Sequence, residues 1–137
     1  MATTLVNQGV QERQDSSVQQ AYTILHMAFV VAPIVAGLDK FTNLLVDWSS
    51  YLSPLVLNML PFSGDVFMYL VGVVEIAAGV VVLLRPRYGG YLVAVWLWGI
   101  ILNLLLVPGF FDVALRDFGL SLGALALARL SVGLGKP

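Results

Sequence analysis

The sequence contains no cysteine and only one histidine. Without cysteine there is no disulfide, no thiol redox chemistry, no iron–sulfur cluster and no covalent haem attachment. With one histidine, paired-histidine haem ligation within one chain is impossible, and a structural zinc site is not expected. We therefore predict no metal site and no covalently bound cofactor.

Charged residues are also scarce, at 11% of the 137 residues. A typical soluble domain carries about 25%. Hydrophobic residues make up 59% of the chain, and its mean hydropathy is +0.91. The net charge of −1 leaves no broad basic face for nucleic acid. We predict that the main partner of this chain is a lipid bilayer.

The first twenty residues are the polar exception. The segment 1–20 has mixed charge, and it lacks the basic start and apolar run of a secretory signal. We predict a polar cytoplasmic tail here, helical from about Ser16. Residues 133–137 are predicted to form a short C-terminal tail.

Four segments are apolar enough to cross a membrane, for which about 20 mainly apolar residues are needed. They place a four-span transmembrane domain at residues 21–132. The predicted spans are Ala21–Leu38, whose helix can extend to about Val46, then Val66–Leu84, Gly90–Val107 and Val113–Leu130.

Short connections join the later spans. Proline and glycine interrupt the helical pattern in Arg85–Gly89 and again in Pro108–Asp112. Links this short force neighbouring helices to run antiparallel. The fold class predicted is therefore all-α, an integral membrane up-down four-helix bundle.

The connection between spans one and two is longer and contains its own helix signals. Ser53 suits an N-cap, Pro54 suits the first helical turn, and Pro61 ends the segment. We predict a short helix that lies in the membrane interface. Trp48 and Tyr51 are predicted to anchor it at headgroup depth.

Basic residues predict the direction of insertion, because loops rich in Lys and Arg remain in the cytoplasm. This places both termini inside and makes the chain a multi-pass protein with an acidic outer side, which carries Asp39, Asp47, Asp65, Asp112 and Asp117. The inner side would hold Arg13, Arg85, Arg87, Arg129 and Lys136, and the outer side Lys40 and Arg116.

Polar and small residues share helix faces in this sequence. Gly72, Glu75 and Gly79 are spaced to lie on one face of span two. Glycine marks the face on which membrane helices approach closely. The glycines predicted to mediate helix packing are Gly37, Gly72, Gly79, Gly99, Gly119 and Gly123. The polar residues predicted to face the interior, in the outer half of the membrane, are Lys40, Glu75, Asn103, Arg116 and Asp117.

A buried carboxyl group at Glu75 can stay protonated or pair with Lys40 or Arg116. Three interpretations of the polar residues remain open. They can simply hold the helices together, they can line an outward-facing pocket for a quinone ring or a small anion, or they can form an ion path.

Three stretches of the sequence resemble a known family. They are GLDKF at Gly37–Phe41, EIAAGVVVLLRPR at Glu75–Arg87, and RDFGLSLGALALARL at Arg116–Leu130. Their order resembles that of the DoxX-like family of small four-helix membrane proteins from bacteria and archaea. The resemblance covers Ala21 to Leu130.

The resemblance implies a set of site residues. Gly37 and Lys40 would match the family's glycine–lysine signature, and Glu75 and Gly79 its glutamate–glycine signature. The charged start of helix four would be Arg116 and Asp117.

The resemblance also implies a function in membrane redox chemistry in the bacterial or archaeal cytoplasmic (inner) membrane. We expect an accessory subunit or partner of a quinone-linked complex, which contacts other membrane subunits and a quinone or lipid. It could belong to a quinone-linked oxidoreductase without activity of its own. The alternatives are a purely structural subunit and a small transporter or channel.

Overall fold

Helices account for all the regular secondary structure of this chain. The computed structural model describes residues 1–137. A short 3₁₀ turn at Trp48–Tyr51 lies between the first two helices. The α-helices are α1 (Ala2–Asp39), α2 (Pro54–Met59), α3 (Gly64–Leu84), α4 (Pro86–Leu105) and α5 (Phe111–Gly133).

Three of these helices, α1, α3 and α4, are long and apolar enough to cross a membrane. The 21 residues of α3 correspond to about 31 Å, close to the ~30 Å thickness of a bilayer core. Large apolar side chains on α3, such as Leu70, Val73 and Leu83, are exposed on the protein surface, as expected for contact with lipid. Helix α5 is as long but more polar, because Arg116 and Asp117 lie within it.

Helix α1 differs from its prediction at both ends. It begins at Ala2 rather than near Ser16, since the segment before Tyr22 contains no proline to stop it. It ends at Asp39 rather than Val46. Asn43 adopts a left-handed backbone conformation with φ of 53°, which is incompatible with a continuing helix.

The link between α3 and α4 is shorter than predicted. Only Arg85 separates the two helices, and Pro86 begins α4, a position that proline favours because the first helical turn needs no N–H donor there. The prediction that Gly89 lies in a loop was wrong, and α4 starts before Gly90. The short helix α2 forms as predicted, and the Ser53 side chain caps it by accepting a hydrogen bond from Val56 N.

The long helices pair antiparallel. Helix α1 packs against α3 and α5, and α4 packs against α3 and, most extensively, α5. Glycine allows the closest approaches. A Cβ added at Gly37 would lie 2.6 Å from the Gly72 carbonyl oxygen, and one at Gly79 would lie 2.5 Å from Ile34.

The other three predicted packing glycines, Gly99, Gly119 and Gly123, differ in whether another helix lies close to them. Gly123 lies against the Phe29 ring, where a Cβ would be 3.2 Å away. Gly99 and Gly119 have nothing within 4 Å of an added Cβ, contrary to the prediction. Gly90, the predicted first residue of span three, was not among the predicted packing glycines, but it lies against the backbone of α5, with an added Cβ 2.9 Å from Ala124 O.

His26 connects α1 to the end of α3. Its Nε2 atom lies 2.8 Å from the carbonyl oxygen of Val82. In a regular helix that carbonyl would accept from the residue four positions later, but that residue is Pro86, which has no N–H. His26 Nε2 therefore supplies the donor that Pro86 lacks.

Candidate functional site: a buried charge cluster

Helix α1 ends about halfway along α3. Lys40, the residue after α1, lies beside Gly72 and Glu75. Glu75 follows the start of α3 at Gly64 by 11 residues, or about 16 Å. Helix α1 therefore does not extend along the first half of α3, and the chain continues from Lys40 through the 3₁₀ turn and α2 before α3 begins. This geometry places Lys40 at mid-height of the structure.

Lys40 and Glu75 form an ion pair between these two helices. Lys40 Nζ donates to Glu75 Oε2 at 2.7 Å, and the two residues are only 4% and 7% exposed. The Lys40 ammonium also lies 3.7 Å from the centre of the Trp48 ring, close enough for a cation–π interaction. Two other segments of the chain, α3 and the 3₁₀ turn, thus contact this one ammonium group.

Asp39 positions the Trp48 ring. Its carboxylate accepts a hydrogen bond from Trp48 Nε1 at 2.7 Å, from the Thr42 hydroxyl at 3.0 Å and from Leu44 N at 3.0 Å. It also accepts from Leu45 N. Because these donors all lie beyond the end of α1, Asp39 folds the following turn back and places the indole over Lys40.

Arg116 and Asp117 form a second ion pair, between neighbours on α5. Arg116 Nη2 lies 3.1 Å from Asp117 Oδ1. The Arg116 side chain is 63% exposed, whereas that of Asp117 is 6% exposed. The only hydrogen-bond partner of the Asp117 carboxylate is Arg116. We count this pair with the charge cluster because Asp117, like Lys40 and Glu75, is a buried charged residue, whereas Arg116 lies at the surface.

Asn103 has a different environment from the other four predicted site residues. Its Nδ2 donates to Tyr51 O at 2.7 Å, and its Oδ1 accepts from Ser53 N at 2.9 Å. Asn103 therefore satisfies two backbone groups between the 3₁₀ turn and α2. It holds this segment against α4 rather than contributing to the charges around Lys40.

The cluster carries an excess of negative charge. Three carboxylates, Asp39, Glu75 and Asp117, face two cations, Lys40 and Arg116, so the formal charge is 2 − 3 = −1. Burying such groups is costly unless each is paired or hydrogen-bonded. The carboxylates do not gather into a group that could hold a metal ion.

One atom of the cluster is free to interact further. The second Glu75 oxygen, Oε1, makes no hydrogen bond within the chain, and the Glu75 side chain keeps 9% of its surface exposed. A carboxylate oxygen in this position can accept a hydrogen bond or a proton. Lys40 would stabilise the negative charge of the carboxylate beside it.

Two open depressions, of about 210 and 300 Å³, lie along the segment that connects α1 to α3. Neither is lined by Lys40 or Glu75, which are packed against each other instead. The smaller depression is lined by Ser49, Leu52, Leu57, Ser63, Gly64 and Asp65. The larger one is lined by Val35, Leu38, Asp39, Thr42, Leu44 and Leu45.

Sequence reasoning missed the contributions of Asp39 and Trp48. Asp39 was assigned only to the acidic outer side, and Trp48 only to the headgroup layer. A signal was present, because Asp39 precedes Lys40 directly and is followed by Thr42 and Asn43, residues typical of a capped turn. The aromatic partner of Lys40 could not be identified without the fold of that turn.

Comparison of the chain with protein-family models, with curated proteins and with solved structures gives no match. The DoxX-like resemblance therefore remains a prediction that depends on the three quoted stretches.

Proposed function

We propose that this chain is a four-span membrane protein, an up-down bundle in which α5 supplies the fourth span. The antiparallel contacts of α5 with α1 and α4 support this arrangement. Burial of Asp117 against the other helices, with Arg116 beside it, lowers the cost of placing both in a membrane. Helix α2 would lie in the interface, because its six mainly apolar residues are too few to cross a bilayer.

The distribution of charge supports one orientation of this bundle. Arg85, between α3 and α4, lies at the opposite end of the molecule from the link between α4 and α5, which is followed by Asp112. Because basic loops remain inside, the Arg85 end would face the cytoplasm with both termini. The charge cluster would then lie between the membrane centre and the outer surface.

The function we propose is that of an accessory subunit in a quinone-linked membrane redox complex of a bacterial or archaeal inner membrane. The observation that carries this proposal is the buried Lys40–Glu75 pair at 2.7 Å, in which Glu75 Oε1 has no partner. Oε1 would accept a hydrogen bond from a quinol hydroxyl, and Lys40 would hold the charge of Glu75 in place. No chemistry beyond binding and proton acceptance is assigned to the chain itself.

A purely structural subunit is the second candidate, and a specific observation favours it. The Lys40 ammonium is already engaged by Glu75 and by the Trp48 ring, directly beside the Gly37–Gly72 contact. A pair placed there would fix how α1 and α3 align. Polar bonds between membrane helices contribute about 0.6–2 kcal/mol each.

The Glu75→Gln variant separates these two functions. Glutamine keeps the size of the side chain and its hydrogen-bonding oxygen but cannot take up a proton. The proposed redox function predicts that quinone-dependent turnover of the purified complex is lost while the subunit still assembles. Glu12→Gln is the matched control, since Glu12 is exposed on the N-terminal part of α1.

Normal turnover with Glu75→Gln would leave only the structural function. Purification in mild detergent also tests the proposal directly, because the subunit should be recovered with partner membrane proteins and quinone. Solute flux into liposomes that contain this chain alone would instead indicate a transporter or channel.

A further inference from the structure

The end of the molecule opposite the charge cluster carries four cations. We call it the basic end and define it by Arg85, Arg87, Arg129 and Lys136. Arg85 and Arg87 flank the start of α4. Arg129 lies in the last two turns of α5, and Lys136 follows that helix.

Backbone and side-chain contacts bring these cations to one surface. Arg87 N donates to a backbone oxygen of Pro137 at 2.9 Å, which places the residues after α5 beside the start of α4. Arg129 Nη1 lies 3.3 Å from the Tyr91 hydroxyl on α4. Lys136 Nζ lies 5.3 Å from the Tyr22 ring of α1. Three helices thus meet around the group.

No cation of the basic end is paired with an acidic residue. The two salt bridges of the chain are Lys40–Glu75 and Arg116–Asp117, both in the charge cluster. The acidic residue of α1 closest to this end in sequence is Asp15, which precedes Tyr22 by 7 residues, or about 10 Å along the helix. The cations of the basic end therefore have no acidic side chain as a counterion.

Tyrosine side chains surround the same surface. Tyr88 is 54% exposed, and the Arg87 guanidinium carbon lies 5.2 Å from the centre of its ring. Tyrosine concentrates at the depth of lipid headgroups, where one side of the ring meets acyl chains and the hydroxyl meets water. Cations next to membrane helices attract anionic lipids at the same depth.

We propose that the basic end binds the headgroup of an anionic glycerophospholipid. Arg85, Arg87 and Lys136 donate hydrogen bonds to its phosphate, and the Tyr88 ring lies against the first part of the lipid below the phosphate. Arginine suits this contact because its planar guanidinium matches two phosphate oxygens at once. This site is separate from the charge cluster and does not depend on the proposed redox function.

Native mass spectrometry of the detergent-purified full chain tests the proposal. After incubation with equal amounts of phosphatidylglycerol and phosphatidylcholine, we expect the chain to retain phosphatidylglycerol preferentially. Phosphatidylglycerol should also raise the thermal unfolding temperature, whereas inorganic phosphate at the same concentration should not. Equal retention of the two lipids, or an equal effect of inorganic phosphate, would overturn the lipid assignment.

The double variant Arg85→Gln/Arg87→Gln locates the site. Each arginine near a membrane surface contributes about a fivefold gain in binding, so losing both predicts about 25-fold weaker retention of phosphatidylglycerol. Arg13→Gln removes a charge from the exposed part of α1 and should leave retention unchanged. Lys136→Gln provides a second test outside α4, with about fivefold weaker retention expected. Equal losses in Arg13→Gln would indicate attraction by net charge alone and would contradict a defined site.

Discussion

Two pairs of antiparallel helices in this protein use the same packing device but differ in charge. Where α4 meets α5, Gly90 lies directly against the α5 backbone at Ala124 and Ala128, and no ion pair joins the two helices. Where α1 meets α3, Gly37 and Gly72 make an equally close contact, and the Lys40–Glu75 pair lies beside it.

This difference shows that two of these helices can pack closely without an ion pair between them. The ion pair between α1 and α3 is therefore not needed merely to bring these two helices together, and it must serve another purpose. Helix α1 ends at mid-height of α3, and the chain leaves it through a turn capped by Asp39. Lys40, the first residue of that turn, binds Glu75 of α3. The Trp48 ring lies against the Lys40 ammonium.

The largest effect should come from leaving one charge of the pair alone. Glu75→Leu leaves Lys40 buried without its carboxylate, and breaking a buried ion pair in this way costs about 3–5 kcal/mol. The free energy of unfolding in mixed detergent micelles measures this loss.

The double variant Lys40→Met/Glu75→Leu completes the test. Replacing both charges with apolar groups of similar size should recover most of the stability, because no unpaired ion remains. If the double variant were as unstable as Glu75→Leu, the ion pair would not be the source of the loss. If Glu75→Leu unfolded like the original protein, the α1–α3 contact would not depend on its ion pair and would resemble α4–α5, which has none.

A smaller loss is expected from filling the glycine contact itself. In Gly37→Ala the new methyl group would lie 2.6 Å from the Gly72 carbonyl oxygen, so α1 and α3 must separate. Overpacking of this kind costs about 1–3 kcal/mol, and thermal unfolding should report it as a lower melting temperature. Gly90→Ala should have a comparable effect on α4–α5.

Gly99→Ala is the matched control for both substitutions, because nothing lies within 4 Å of the added methyl group. It should unfold at the original temperature or slightly above, since alanine is the better helix former. Equal losses for Gly99→Ala and Gly37→Ala would show that helix propensity, not close contact, determines the effect.

The smallest effect should be seen at the far end of the α1–α3 contact. His26→Ala leaves the Val82 carbonyl without a donor, at a cost of about 1–3 kcal/mol at most. Because His26 is only half-buried, water can replace part of that bond, and we expect the lower end of the range. His26→Gln retains a donor and should unfold closer to the original protein in the same assay.

The apolar pattern of the sequence predicted most of the helical architecture. Helix α3 was predicted at Val66–Leu84 and found at Gly64–Leu84, because its apolar run ends at helix signals on both sides. The pairing of Glu75 with Lys40 was one of two pairings that the sequence left open. The structure pairs Arg116 with Asp117 instead, because α5 points the guanidinium outward.

Other features needed the fold itself. Glycine relaxes the backbone in turns and also permits close helix contact, so Gly89 could not be assigned from sequence alone. Asn103 was grouped with Glu75 because both were predicted to face the interior in the outer half of the membrane, but the position of a residue along a helix does not fix its direction around the helix. Only the packed structure shows that Asn103 faces the backbone of Tyr51 and Ser53.

The exposed start of α1 has a mechanical consequence. Helical residues before Tyr22, the first buried position, form a rod of about 30 Å that leaves the bundle at the basic end. Each residue inserted into or deleted from this rod would turn whatever is attached to Met1 by about 100° and shift it by about 1.5 Å. The length of the rod therefore determines how far from the bundle a group joined to Met1 lies, and in which direction around the helix axis it points.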